Sequence, residues 1–432
     1  MSHPLIFALA SGAGRAAVAV LRLSGEGCGA VLTALAGNLP APRRASLRVL
    51  RHHGLALDQA LVLWFPGDAN YTGEPSAELH LHGGPAVIAA VAEALTELGG
   101  RPAEPGEFTR RAFLNGKLDL TAAEGVADLI AAETEAQRRQ ALRQVEGGLA
   151  ARHAEWAARL MRLLARQEAF IEFEEEDLPS DLDARVGVEA AMLRDELAAF
   201  LAYGRRGEKL REGLTVAILG APNAGKSSLL NALAGRDAAI VSASAGTTRD
   251  VVEVRLNLGG VLVTLADTAG LRDAADEVEA EGVRRALARA EAADLRLLIF
   301  ATGTVPDADT WALRAEDSLL IQNKADLTGA PLEGALRVST RTGEGVEALR
   351  TRLEAEAATR AGLSDTAALT RPRHRAALRD AVEWLDRLPA AGLPELRADA
   401  LRGAMHALSR LTGRVDAEQV LDLVFGEFCI GK

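Results

Sequence analysis

Cysteine and aromatic rings are scarce in this chain. Two cysteines, Cys28 and Cys429, stand in 432 residues, and aromatic residues make up 4% of the total. Two thiols are too few for a disulfide framework, and no CxxC pair or Cys/His cluster points to zinc. Positive charge is also in deficit. The 49 Lys and Arg against 60 Asp and Glu leave a formal net charge of −11, which argues against broad electrostatic adhesion to nucleic acid or anionic membranes. Apolar runs fall short of a spanning helix, so no membrane segment is expected. The N-terminus, MSHPLIFALASGAGRAAV, has no basic region ahead of its apolar stretch; it does not read as a secretory signal, and the cytoplasm is the expected compartment.

What is present is the composition of a soluble protein, 48% hydrophobic and 25% charged, with chain enough for about two to four domains. Residues 1–115 alternate short apolar runs (AVAVLRLSG, ALVLWF, ELHLHGG) with Gly and Pro turns and one helical pattern, PAVIAAVAEALTEL, which predicts a small α/β unit. From 116 to 210 long Ala, Leu, Arg and Glu stretches predict amphipathic helices, with a turn at EFEEEDLPSDLD. Strand and helix patterns alternate over 211–356 (LTVAILG, VLVTLADTAG, LRLLIF, LLIQNKAD, LRVST), the signature of a mainly parallel sheet with crossover helices. Helical texture returns over 357–432, so the expected architecture is a discontinuous helical domain around an inserted α/β domain. Within the first helical stretch Arg152, Arg159, Arg162 and Arg166 fall on one side of a helix, either a solvated face or a local basic one.

Gly220-Ala-Pro-Asn-Ala-Gly225-Lys226-Ser227 fits GxxxxGK[ST] between an apolar strand and a helix, the context that a phosphate-binding loop requires. Glycines let backbone N–H groups face phosphate oxygens, the helix N-terminus adds partial positive charge, Lys226 neutralises the β/γ region and Ser227 ligates Mg²⁺. Asn223, Ala224, Gly225 and Ser228 complete that loop. Asn323-Lys324-Ala325-Asp326 follows the strand LLIQ, where the Asp326 carboxylate accepts from the N1–H and amino group of guanine. Asp267-Thr268-Ala269-Gly270 ends another strand, with Asp267 in the Mg²⁺ shell and the Gly270 amide at the γ-phosphate; Ser339-Thr340-Arg341 closes a further one. Four such motifs, running along the chain as 220–228, 267–270, 323–326 and 339–341 in the order of the GTPase fold and each at a strand end, point to a GTP site. Thr248, in AGTTRD, is the expected switch ligand of Mg²⁺. Leu271 stands where many GTPases place a water-orienting glutamine, so another group must take that role.

The segments GAPNAGKSSLLNALAGRDAAIV, SAGTTRDV, LADTAGLRDAADEVE and NKAD, with FCIGK at the end, resemble the tRNA-modification GTPases of the MnmE or TrmE family. The likeness runs over nearly the whole chain, since FPGDANYTGEPSAELHLHGG and RPAEPGEFTRRAFLNGKLDLTAAEGVADLI are similar to that family's folate-binding N-terminal domain and the opening of its helical domain. The resemblance implies a potassium-activated GTPase with a Ras-like inserted domain, dimerised through its N-terminal domain and paired with an FAD-containing MnmG-type partner. It implies modification of C5 of the tRNA wobble uridine with a one-carbon unit from a 5-formyl- or 5,10-methylene-tetrahydrofolate. By position it implies Asn223, Ser242, Ser244 and Thr247 around K⁺, Glu279 orienting the attacking water, and Arg22, Glu78, Lys117 and Lys432 at the folate. Cys429 becomes either a reactive thiol or a structural residue; Gly431 and Lys432 fit a prenylation signal poorly, and Cys28 reads as core. Ser11–Ala17 departs from the family's proline- and glycine-rich start. The alternative reading is a regulatory switch in ribosome assembly, for which the N-terminal block and Cys429 are unnecessary.

Overall fold

The computed structural model describes residues 3–172, 182–235, 253–267, 288, 290–363, 368–391, 393–413, 424–426, 428 and 431, less the side chains of 182–184 and 267. The chain divides into two compact units. One comprises Met1–Ala127, Gln144–Glu168 and Ala398–Lys432, the other Asp128–Arg143 and Ala169–Arg397.

The first unit is built on strands β1 (Ile6–Leu9), β2 (Ala16–Ser24), β3 (Ser46–His52), β4 (Leu55–Phe65), β5 (Ser76–Gly83) and β6 (Arg101–Pro102), with helices α1 (Cys28–Ala36), α2 (Pro85–Glu97) and α3 (Glu107–Leu114). Their order in the sheet is β3-β4-β5-β2-β1-β6, antiparallel except for the β1–β6 pair. The period-2 alternation of β2 and β5 sends Leu21, Leu23, Leu79 and Leu81 to one face, where they bury against Cys28, Leu32 and Leu35 of α1 and Val91 and Leu95 of α2. Each such side chain is worth about 1.5–3 kcal/mol when fully buried. The opposite face keeps Ile6 and Ala8 beside Phe108 and Tyr71 at one end and is open at the other. Sequence pattern predicts one helix in this region and the structure has three among its described residues. CGAVLTALA is apolar on almost every side, so periodicity cannot tell helix from buried strand there.

Helices α4 (Leu120–Ala131), α5 (Glu135–Val145) and α6 (Gly148–Glu172) follow. In α6 the apolar stripe Leu149, Trp156, Leu160 and Leu163 is buried, while Arg152 and Arg162 are exposed, as the helical spacing predicts. The second unit contains α7 (Leu182–Tyr203), α8 (Arg205–Glu212), β7 (Leu214–Gly220), α9 (Lys226–Ala234), β8 (Glu253–Leu258), β9 (Val261–Asp267), β10 (Leu295–Ala301), α10 (Ala308–Ala312), β11 (Ser318–Asn323), β12 (Leu336–Arg337), α11 (Val346–Ala361) and α12 (Pro372–Asp386). The last long helix, α13, spans Pro394–Thr412. The sheet of the second unit runs β12-β11-β10-β7-β9-β8, parallel throughout except for the antiparallel edge strand β8. β7 and β10 are apolar runs buried along most of their length, as strands covered on both faces must be. No helix among the described residues is long and apolar enough to cross a membrane.

Candidate functional site

In the second unit the parallel strands β7, β9, β11 and β12 present their C-terminal ends on one edge of the sheet, where ligands of such folds bind. β7 delivers the loop 221–225 to the N-terminus of α9. Asn223 and Gly225 have left-handed backbones, with φ of 63° and 93°, which turn successive N–H groups inward as an anion nest. Gly225 has a second reason for lacking a side chain, because a Cβ there would overlap Asn323 Nδ2. Lys226 is buried, its Nζ donating to Gly220 O at 2.6 Å and Ala221 O at 2.9 Å, so the ammonium is held against the loop. Ser227 and Ser228 are exposed in the first turn of α9. Asp307 caps α10 and accepts from Thr310 N at 2.9 Å and Thr310 Oγ1 at 2.6 Å; those bonds, with the charge of Lys226, hold its carboxyl below the usual range. Sequence reading missed this acidic neighbour, although Asp307-Ala-Asp-Thr310 carries an N-cap signature.

The base loop is tied to the phosphate loop directly. Asn323, fully buried at the end of β11, donates from Nδ2 to Ala224 O at 2.9 Å and accepts Lys324 N on Oδ1 at 2.7 Å. Lys324 adopts φ 60°, so the chain turns sharply before Asp326. Asp326 Oδ1 accepts from Ser339 Oγ at 2.6 Å and Oδ2 pairs with Arg341 at 2.8 Å. The Ser339 bond above all, with Arg341 assisting against desolvation, keeps that carboxyl below its ordinary range and therefore charged. Ser339 is buried and also accepts Thr342 N at 3.2 Å; Thr340 beside it is half-buried. The motifs 220–228, 323–326 and 339–341 thus come together. Asp267 ends β9 opposite Ile218 of β7, which sets its backbone beside the strand of the phosphate loop. Ser242, Ser244, Thr247, Thr248, Thr268, Ala269, Gly270, Leu271 and Glu279 lie outside the described residues.

A second constellation occupies the open sheet face of the first unit. Arg22 and Glu78 are directly opposed on β2 and β5, and Arg22 reaches Glu78 Oε1 through Nε at 3.3 Å and Nη2 at 3.1 Å. The guanidinium lies 5.6 Å from the ring centre of Tyr71 and 5.9 Å from that of Phe108. Tyr71 Oη is fixed by Thr109 Oγ1 at 2.8 Å. The niche therefore offers a cation, a carboxylate and two aromatic walls, a set suited to a flat heterocycle with polar edges. Lys117 packs against Gly73 in the loop that carries Tyr71, 4.0 Å from Asp68. A buried network braces this loop: Arg111 bonds Glu74 and Glu107 at 2.9 Å each, and Ser24 bonds Thr72 at 2.8 Å. Tyr71, Phe108 and Arg111 were not singled out from sequence; only a tertiary pairing reveals them.

Of the terminal FCIGK, Phe428 packs with Phe425, Leu120 and Ala123, and Gly431 is buried with φ 99°, where a Cβ would overlap Leu9 O at the end of β1. The segment Ser11–Ala17 follows directly, and Ser11 Oγ accepts Val20 N at 3.2 Å. Cys429 and Lys432 lie outside the described residues. Cys28 is fully buried and desolvation pushes its thiol up to about 12, in keeping with a core residue.

Residues 120–429 match the family model described as the MnmE helical domain, and residues 5–117 that described as the GTP-binding protein TrmE N-terminus. A protein of Granulibacter bethesdensis named tRNA modification GTPase MnmE is 58% identical over 100% of both chains. Proteins of the same name from Gluconacetobacter diazotrophicus and Parvibaculum lavamentivorans are 57% and 55% identical, over 99% of this chain and 98% and 99% of theirs. With both flanking domains and the intervening GTPase motifs matched along its full length, this chain belongs to the MnmE family of tRNA modification GTPases.

Proposed function

We propose that the chain is a cytoplasmic GTP hydrolase that works in tRNA modification, coupling turnover at the sheet edge of its second unit to chemistry on C5 of the wobble uridine. Family membership supports the tRNA role. The observation that most favours GTP is the pairing of two loops, Asn323 Nδ2 on Ala224 O with Asp326 kept ionised by Ser339, because a guanine-specific carboxylate and a phosphate nest then share one rigid frame. Guanine would take over the Asp326 oxygen that Arg341, itself 76% exposed, now holds.

Domain boundaries at 1–115, 116–210, 211–356 and 357–432 go with this reading. Ser227 and Thr248 would hold Mg²⁺, with Asp267 in its outer shell. The exposed amide of Asn223, lifted by its left-handed backbone, has the hard oxygen that K⁺ requires, with Ser242, Ser244 and Thr247 as further ligands. Such a monovalent ion supplies positive charge beside the β- and γ-phosphates. Glu279 would orient the attacking water in place of the apolar Leu271. Arg22, Glu78, Lys117 and Lys432 would hold a tetrahydrofolate, whose one-carbon unit is what it supplies; the ion pair and aromatic walls of the niche fit such a ring system. Cys429 would be brought to that niche by the tail whose Gly431 packs on Leu9. An FAD-containing MnmG-type partner completes the pathway. Leu47, Leu61 and Val18, 57%, 43% and 53% exposed on the same sheet face as Arg22, support a homodimer through the N-terminal domain.

Mass spectrometry of digested tRNA from a strain lacking this gene tests the reading. Loss of C5-substituted wobble uridines, restored by the wild type and not by a Lys226→Ala copy, is expected. An unchanged tRNA profile would overturn it and point to a switch in ribosome assembly.

A further inference from the structure

We propose that His52, His53 and Glu97 form a binding site for a transition-metal dication of the zinc class, at the β3–β4 hairpin and built from residues that neither site described above uses. Consecutive residues of a strand point to opposite faces, so two adjacent histidines ordinarily diverge. Here they do not. The two-residue turn His53-Gly54 has φ of 48° and 78°, positive at both positions, a conformation that favours Asn or Gly at the first. With histidine there instead, the turn swings its ring beside that of His52, with centroids 4.0 Å apart and planes at 49°. Both Nε2 atoms meet one oxygen of Glu97, the last residue of α2, at 2.7 and 2.8 Å.

Two imidazole nitrogens and a carboxylate oxygen, all within 4.8 Å of one another, are a three-ligand set for a borderline cation, not for Mg²⁺ or Ca²⁺, which prefer oxygen. Metal–ligand bonds of about 2.0–2.1 Å in a tetrahedron hold donors about 3.3 Å apart. Each Nε2 would therefore draw back from the Glu97 oxygen by roughly half an ångström. The side chains of His53 and Glu97, 75% and 49% exposed, have room to do so, and the same exposure leaves further coordination positions to water. On binding, a neutral ring transfers its proton from Nε2 to Nδ1 and turns the Nε2 lone pair to the ion; a doubly protonated ring releases one proton to solvent. The ion would pin the hairpin of edge strand β3 to the end of α2.

The test is calorimetric titration of the full chain, stripped with a chelator, with zinc chloride alone, and cobalt chloride followed by visible absorption. His53→Asn is the informative variant, because asparagine suits the left-handed turn and the fold is retained while the ligand is lost. One zinc per chain in the wild type is expected, with its Kd weakened by at least about tenfold in His53→Asn, and likewise in Glu97→Gln. No zinc bound by the wild type, or zinc bound with unchanged Kd and stoichiometry in both variants, would overturn the proposal. Mg²⁺ binding as tight as that of Zn²⁺ and weakened equally by both substitutions would also overturn it.

Discussion

The parallel sheet of the second unit and the antiparallel sheet of the first build their sites by different routes. In the parallel sheet every strand that bears a motif ends on the same edge, so each functional loop is a contiguous stretch of sequence. In the antiparallel sheet the site lies on a face, and the face is written at alternate positions of strands far apart in the chain, as with Arg22 and Glu78. Edge sites tolerate change in the strands and fail when one loop changes. Face sites depend on register, and a one-residue slip would send the whole set to the other side.

That contrast predicts separable lesions. The largest effect is expected from Lys226→Ala, which removes the buried ammonium from the phosphate nest: GTP turnover should fall by about 10²-fold or more. Thermal unfolding should change little, since the bonds that Nζ gives to Gly220 O and Ala221 O are worth about 1 kcal/mol each. A large loss of stability with modest loss of turnover would mean that the lysine is structural. Next comes Arg22→Ala. Glu78, a quarter exposed, would lose its cation, lowering stability by about 1 kcal/mol and weakening tetrahydrofolate binding, measured by fluorescence, by about tenfold or more, while intrinsic GTP turnover stays level. Equal loss of both activities would end the distinction between the two sites.

The smallest effect separates the units by acid. Burial raises the Glu107 carboxyl, but hydrogen bonds from Arg101, Glu104 N and Arg111 outweigh it and leave it below the ordinary carboxylate range. A folded pKa below the unfolded value of about 4.3 means that the stabilisation is present above that pH and is lost as pH falls through the folded value. Glu107→Gln should flatten the acid limb of the first unit's unfolding curve below about pH 4 and leave that of the second unit alone. An identical acid limb in wild type and variant would show that the Arg101–Glu107–Arg111 cluster has no linkage to folding.

The same difference in construction explains what could be read in the sequence. The phosphate and base loops were legible because each is a short string with a strand before it, and the inserted sheet followed from alternating strand and helix patterns. The niche around Arg22 was reached through likeness to a family; its aromatic walls, Tyr71 and Phe108, and its brace, Arg111, are 37 or more residues apart from their partners in places and leave no local pattern. The helix at Cys28–Ala36 escaped because an apolar segment with no polar face has no period to measure. Nor does sequence say which way the amide of Asn323 turns.

That amide has a consequence for how the site measures its ligand. By joining Ala224 to the base loop it fixes the span between the place for a phosphate chain and the place for a purine, so the two ends of a nucleotide are gauged against one another as by calipers. A free base or an inorganic polyphosphate would meet only one jaw. Either fragment, once seated, would steady the other jaw through Asn323, so guanosine and triphosphate added together should each bind more tightly than alone, and replacing that one side chain should abolish the mutual help while leaving both jaws in existence.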